Sequence, residues 1–397
     1  MKIPEYYEFM NSVKILSGKG ALENIPFELL NLEAQRPLIL TDESLIKHGQ
    51  VQIITEALED ANIEIAAIFK EIPQDSSLNV VQEISDVYQT HQCDSIIAIG
   101  GGSVIDTAKG VNVLVSKKVK DLNELMGLEL VGGKLNPLIV VPSTAGTGSE
   151  ATLVSVIADT SRKVKLEFIS YSLLPDVAVL DYRMTASLPA KITASTGIDA
   201  LTHSIEALTG CQKNPLSSAY SLAAIELIGK HLKEAVQNGK NKEARIAMAN
   251  ASLMAGISFS NSMVGIVHAI GHACGSISKI AHGDAMAILL PYAMEMNLKH
   301  SQSCKEEYAR ILLAFSGPEV YSQTPKDQRA ARTINAIRDL LNELHKIAGL
   351  PTRLRDVDVK KEDFKQIAKT AMNDGATIVN PVQVTTERIM DILEAAY

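Results

Sequence analysis

Cysteine is scarce in this chain: Cys93, Cys211, Cys274 and Cys304 stand far apart and form no C-x-x-C pair. That argues against a disulfide scaffold and for a reducing compartment. No long basic run interrupts a composition of 38 Lys+Arg against 46 Asp+Glu, a formal net charge of −8. An extended nucleic-acid or anionic-membrane surface is therefore not expected, and small, mostly uncharged partners fit better. The apolar runs are too short or too interrupted by proline to span a bilayer. The first residues, MKIPEYYEFMN, carry two acidic side chains and no apolar core of the signal-peptide kind, so the expected location is cytoplasmic. Tryptophan is absent and aromatic residues reach only 4%, yet 46% of the chain is hydrophobic and 21% charged. Those proportions exclude general disorder.

With 397 residues the chain exceeds the size at which one core usually stops growing, and two domains are expected. In the first part, short apolar runs alternate with helix-like stretches, as in PLILTDES, IEIAAIFKEI, DSIIAIGGGS and PLIVVPSTAG. That alternation predicts βαβ units and a mostly parallel, Rossmann-like sheet. From about residue 185 the strand signal stops, and ITASTGIDALTHSIEALTG, LSSAYSLAAIELIGKHLKEAVQNG and QRAARTINAIRDLLNELHKIAGL read as successive helices. The reading is an α/β domain over residues 1–187 and an all-α domain over 188–397, with the boundary near SLPAK. SGPEVYSQTPKDQ, residues 316–328, reads as a polar surface loop.

Against this background one group of residues stands out. His268, His272 and His282 lie within fifteen residues, and Asp199 and His203 sit four apart in GIDALTHSIEA. Residues four apart on a helix stack on one face and reach a common point. Asp199 with His203 is one such pair and His268 with His272 another. His282 follows a Gly-Ser break and directly precedes Gly283, where the chain could return a further imidazole. One carboxylate with two or three imidazoles suits Zn²⁺ or Fe²⁺ better than Ca²⁺ or Mg²⁺, which prefer oxygen. The competing reading is a set of hydrogen-bonded helix histidines. Cys274, two residues past His272, reads as a bystander.

Three stretches of the first domain carry nucleotide signals. SIIAIGGGSVIDTAKG is an apolar strand entering three glycines, a serine and then a helix. Glycines there let backbone N–H groups approach an anion, and a helix N-terminus adds free donors and a favourable dipole. Asp42 in PLILTDES ends an early strand, where a carboxylate accepts ribose hydroxyls and repels a 2′-phosphate, favouring NAD over NADP. The same residue is equally placed to cap a helix. VVPSTAGTGSEAT is a strand followed by a loop rich in hydroxyls and amides, suited to phosphate or carboxamide or to a hinge.

Taken together, GGGSVIDTAKG, VVPSTAGTGSEAT, GIDALTHSIEALTG and GIVHAIGHACGSISKIAHGDAMAILLPYAMEMN resemble the iron-containing, group III, alcohol dehydrogenases in order and distance across nearly the whole chain. The resemblance implies the dehydroquinate synthase-like architecture of that family, NAD(H) and Fe²⁺ (or Zn²⁺) as cofactors, and a homodimer or larger assembly acting on a small alcohol, diol or aldehyde. It places the metal ligands on Asp199, His203, His268 and His282, and makes His272 a catalytic helper outside the ligand set. It assigns the pyrophosphate turn to Gly101, Gly102 and Ser103 and the second cofactor loop to Ser143, Thr144, Thr147 and Thr152, with Val154 at the nicotinamide. Lys165 contacts the cofactor ribose, Asp42 selects NAD, and Phe259 lines the substrate pocket. Two departures bear on that pocket: Met286 stands where relatives often carry Asn, and NPVQVT lacks the Arg that commonly follows Asn-Pro. Alternatives are a glycerol-type polyol dehydrogenase and an NAD- and zinc-dependent lyase of the related fold. The lyase would need a cluster of basic residues, which is not found near the metal motifs.

Overall fold

The computed structural model describes residues 3–74, 76–119, 121–160, 162 and 164–397. It divides into two compact units. One is Met10–Ser187; the other is Leu188–Tyr397 together with the N-terminal segment ending at Phe9, whose ring stacks on Tyr220 with centroids 5.9 Å apart.

Among the described residues of the first unit, nine strands form two sheets: β1 (Lys14–Ser17), β2 (Pro37–Leu40), β3 (Ala67–Phe69), β4 (Ser95–Gly100), β5 (Gly127–Leu128), β6 (Leu138–Pro142), β7 (Val154–Asp159), β8 (Val164–Ile169) and β9 (Val177–Leu180). Six of them make one sheet in the order β1-β9-β6-β4-β2-β3, and every pairing in it is parallel. The central strands SIIAIG and LIVVP are buried at every position, as expected where both faces of a parallel sheet are covered. Side-chain alternation divides them between two cores. Ile96 and Ala98 pack with Val104, Ala108 and Val111, whereas Ile97 and Ile99 pack with Ile25, Leu29 and Ile54. Each such buried Ile contributes about 1.5–3 kcal/mol.

Strand order reverses between β2 and β4. β3 lies beyond β2 on one side, while β4, β6 and β9 extend the sheet on the other. Ligands of open α/β sheets bind beyond the strand C-termini at such a point. The smaller sheet, β5-β8-β7, contains the antiparallel pair β7–β8, beside the parallel six-stranded sheet that makes the domain mostly parallel as expected.

Among its described residues the regular elements of the second unit are all helices. Among the helices of the molecule, five concern the sites: α1 (Gly102–Lys117) in the first unit, and α2 (Ala190–Thr209), α3 (Lys242–Ser260), α4 (Ile266–Ser278) and α5 (His282–His300) in the second. The expected surface loop at 316–328 is mostly helix. Gln302–Gln323 is helical on both sides of a kink at Gly317, which adopts φ 84°. Glycine takes that conformation without a Cβ penalty, and Pro318 then starts the next segment where its missing N–H costs nothing. The polar composition reflects an exposed helix face, and the connection shrinks to residues 324–328.

Candidate metal centre and nucleotide site

α2 is buried along most of its length, including Asp199 and His203 one turn apart. α4 contributes His268, also buried. The expected Gly-Ser break is not where the chain turns, because α4 runs through Gly275 and Ser276 and stops at Lys279 in the left-handed region. His282 is then the first residue of α5.

Asp199, His268 and His282 each direct one ligand atom into a cluster within 4.8 Å. Asp199 Oδ1 lies 3.2 Å from His282 Nε2 and 3.7 Å from His268 Nε2. The buried Asp199 Oδ1 and His268 Nε2 make no well-formed hydrogen bond among the described residues. A buried polar atom without a partner costs about 1–3 kcal/mol, and here the two face one point. A cation at that point satisfies both. His203 flanks this trio, with Nδ1 4.0 Å from Asp199 Oδ1 and its ring stacked on His268 at 4.5 Å. Phe259, near the end of α3, stacks on the other side of His203 at 4.3 Å.

The electrostatics favour a bound cation. Burial alone raises the Asp199 pKa, but His203, His282 and His268 hold it well below the usual carboxylate range. For His268 burial acts downward, yet the carboxylates of Asp199 and Glu206 bring it up to about 9.

His272 stands apart from the trio. It is 43% exposed, and its Nδ1 lies 2.8 Å from Asp374 Oδ2, while its ring stacks on His282 at 5.4 Å. Cys274 is buried, and burial pushes its thiol up to about 12, so it stays an inert thiol. Met286 is fully buried and its methyl group packs over Gly271; that position is part of the α4–α5 packing.

The nucleotide candidates gather at the sheet's reversal point. Asp42 follows β2, Gly101–Ser103 follow β4, and Ser143 with Thr144 follow β6, three adjacent strands. Gly101 precedes the sixteen-residue α1. A Cβ on Gly101 would lie 3.4 Å from Thr144 and one on Gly102 3.0 Å from Thr147, so the two loops touch. Asp42 is also the N-cap of the short helix Glu43–Lys47, accepting from Leu45 N at 3.1 Å. The Ser103 hydroxyl donates to the Gln74 carbonyl. Lys165 lies exposed on β8, opposite Ala158.

Three residues were not singled out from the sequence. Lys109 is buried in α1 and donates to Thr152 O at 2.7 Å, Thr152 Oγ1 at 3.1 Å and Val154 O at 2.8 Å. It thereby fixes the loop that carries two cofactor candidates, and burial lowers its pKa to about 8. Its signal in VIDTAKGVNVL is a lysine flanked one turn away on either side by the apolar Ile105 and Val113. Glu206, discussed below, follows Asp199 by seven residues and so shares its helix face. Asp374 is separated from His272 by 102 positions and gave no local signal.

A dehydrogenase that uses a nicotinamide with a divalent metal needs both kinds of site on one chain, and this chain carries a candidate for each. Residues 12–182 match the family described as iron-containing alcohol dehydrogenase, and residues 193–397 match the C-terminal part of the Fe-containing alcohol dehydrogenase family. The chain belongs to the iron-containing alcohol dehydrogenase family. It is 35% identical to the NAD-dependent methanol dehydrogenase of Bacillus methanolicus, over 96% of this chain and 97% of that one. It is also 35% identical to the 1,3-propanediol dehydrogenase of Klebsiella pneumoniae, over 96% of each chain. A crystal structure of a 1,3-propanediol oxidoreductase superimposes with a TM-score of 0.93 at 33% identity, covering 99% of this chain and all of that one. Among the described residues no helix is long and apolar enough to cross a membrane.

Proposed function

We propose that this chain interconverts a small primary alcohol or diol and its aldehyde with NAD(H), in a centre where Asp199, His203, His268 and His282 hold Fe²⁺ or Zn²⁺. The observation that carries the reading is the convergence of Asp199 Oδ1, His268 Nε2 and His282 Nε2, two of them buried without hydrogen-bond partners among the described residues. A mixed carboxylate and imidazole set suits those two ions. Such an ion supplies Lewis acidity that lowers the pKa of an alcohol hydroxyl and polarises a carbonyl. NAD(H) supplies the hydride acceptor and donor.

The remaining work falls to side chains and backbone. Gly101, Gly102 and Ser103 at the N-terminus of α1 receive the pyrophosphate, where helix donors and dipole favour an anion. Asp42 accepts the ribose hydroxyls and disfavours a 2′-phosphate. Ser143, Thr144, Thr147 and Thr152 border the cofactor, Lys165 contacts its ribose, and Val154 lies at the nicotinamide. His272 passes a proton at Nε2, with Asp374 holding Nδ1. Phe259 covers His203 and forms an apolar wall of the substrate pocket. We assign the working form as a cytoplasmic homodimer or larger homo-oligomer.

Asp199→Ala and His282→Ala test this reading. Each should lose bound metal and alcohol-dependent NADH formation together while still binding NADH. Full activity in either variant would overturn it.

A further inference from the structure

Behind the metal-facing side of His268 lies a buried carboxylate that the ligand set does not include. Glu206 is 6% exposed and stands on α2, seven residues after Asp199. Its Oε2 lies 2.5 Å from His268 Nδ1 and accepts from Gly265 N at 2.8 Å. Its Oε1 accepts from Val267 N at 2.7 Å. One side chain thus occupies the N-terminus of α4, where unpaired N–H groups and the helix dipole favour a negative charge, and reaches the first imidazole of that helix. Gly265 makes this approach possible, because a Cβ there would lie 3.0 Å from both Glu206 Oε1 and Asn380 Oδ1.

The chemistry of the contact fixes the imidazole. A carboxylate accepts, so His268 Nδ1 keeps its proton when the ring is neutral, and in that form, the one a metal requires, Nε2 is left with its lone pair. That Nε2 is the atom that lies 3.7 Å from Asp199 Oδ1 and has no hydrogen-bond partner among the described residues. An outer carboxylate on the far nitrogen of a ligating histidine sets its tautomer and ring orientation and raises its basicity.

We propose that Glu206 is the positioning residue of this centre, holding His268 with Nε2 directed at the metal while anchoring the first turn of α4. The inference rests on the ligand assignment made above.

Asn380 provides an internal control. Its Oδ1 accepts from Ile266 N at 3.3 Å, and its amide donates to Asn297 Oδ1 at 3.0 Å and Val382 O at 2.8 Å. It supports the same helix end without contacting His268 by any of these bonds.

The test is a double-mutant cycle on the full chain, with Zn²⁺ affinity read by competition with a chelator and Co²⁺ absorption reporting the ligand field. Glu206→Gln alone should weaken Zn²⁺ binding about 10–100-fold and alter the Co²⁺ spectrum. In a His268→Ala background the same substitution should cost little more, because its route to the metal is already removed. Asn380→Ala should lower thermal stability and leave Zn²⁺ affinity near that of the parent chain. Parent-like affinity in Glu206→Gln, an equal loss in both backgrounds, or an equal loss in Asn380→Ala would overturn the proposal. If His268→Ala alone leaves Zn²⁺ affinity intact, the ligand assignment itself fails, and this inference with it. Should Glu206→Gln not fold, Glu206→Asp carries the same cycle, since it withdraws the carboxylate from His268 by one methylene.

Discussion

Asp374 Oδ2 meets His272 Nδ1 at 2.8 Å, joining α4 to the turn that precedes the short helix Ala376–Val379. Asp374 is also held from the other side, its Oδ1 accepting from Ala376 N at 2.9 Å. Although burial works against its charge, the bond to His272 brings the Asp374 carboxyl below its ordinary range. The pair has the form of an oriented imidazole beside the proposed metal ligands. His272→Ala should lower kcat about 10²-fold and keep the metal content of the parent chain. Asp374→Asn should lower kcat in the same direction and by less. Metal analysis beside steady-state kinetics checks both, and loss of metal from His272→Ala would make that residue a ligand.

Proton competition at His268 predicts how metal binding depends on pH. In the metal-free chain its folded pKa of about 9 exceeds the ordinary value of 6.5. The stability it gains from Asp199 and Glu206 is therefore complete below the unfolded pKa and is lost as pH rises through about 9. A metal needs the neutral imidazole, so its affinity should rise by up to about tenfold per pH unit toward pH 9. Chelator competition across that window reads the slope, and a flat profile would contradict the assignment of His268.

Two glycines near the centre should respond differently to alanine. A Cβ on Gly283 would meet backbone of α2, at 2.8 Å from Ser195 O and 2.9 Å from Ser195 C. The first turn of α5 would have to move, taking the adjacent His282 away from its 3.2 Å approach to Asp199. Gly283→Ala should cost about 1–3 kcal/mol of stability and measurably weaken metal binding. A Cβ on Gly271 would meet chiefly the far end of the unbranched Met286 side chain, its Cε at 2.0 Å, so Gly271→Ala should cost less and spare the metal. Denaturant melts with metal titration compare the two, and the reverse ranking would refute this account of the packing.

Asp42 serves as a helix cap and, in our reading, as the residue that rejects a 2′-phosphate. Ser caps a helix about as well as Asp, so Asp42→Ser isolates the second role. It should raise kcat/KM for NADP roughly tenfold, about 1.4 kcal/mol, with little change in melting temperature. An unchanged preference between NAD and NADP would remove Asp42 from the cofactor assignment.

Legibility in the sequence followed locality. Asp199 with His203, and the strand-to-helix turn at Gly101–Ser103, were readable because helical spacing and a glycine-rich turn are properties of neighbouring residues. The parallel sheet was readable from fully apolar runs such as SIIAIG, whose burial on both faces leaves no alternation. His282 is legible as a histidine near the others, but the turn before it is not: the chain reverses at Lys279 in a left-handed conformation, whereas composition points to Gly275 and Ser276. The 316–328 segment misled because Gly317 and Pro318 read as a loop, although together they end one helical segment and begin another. Glu206 was partly legible, sharing a helix face with Asp199. Its bonds to His268 and the start of α4 depend on tertiary packing, as does the Asp374–His272 contact.

The central claim is that metal held by the Asp199 and histidine cluster enables NAD-linked oxidation of a small alcohol. Its most direct test is anaerobic NADH formation with a series of short primary alcohols and diols, using chelator-stripped protein before and after addition of Fe²⁺ or Zn²⁺. The account predicts no turnover in the stripped protein and its return with metal, ranked by alcohol. Full activity without metal, or silence with every metal despite tight NADH binding, would contradict it.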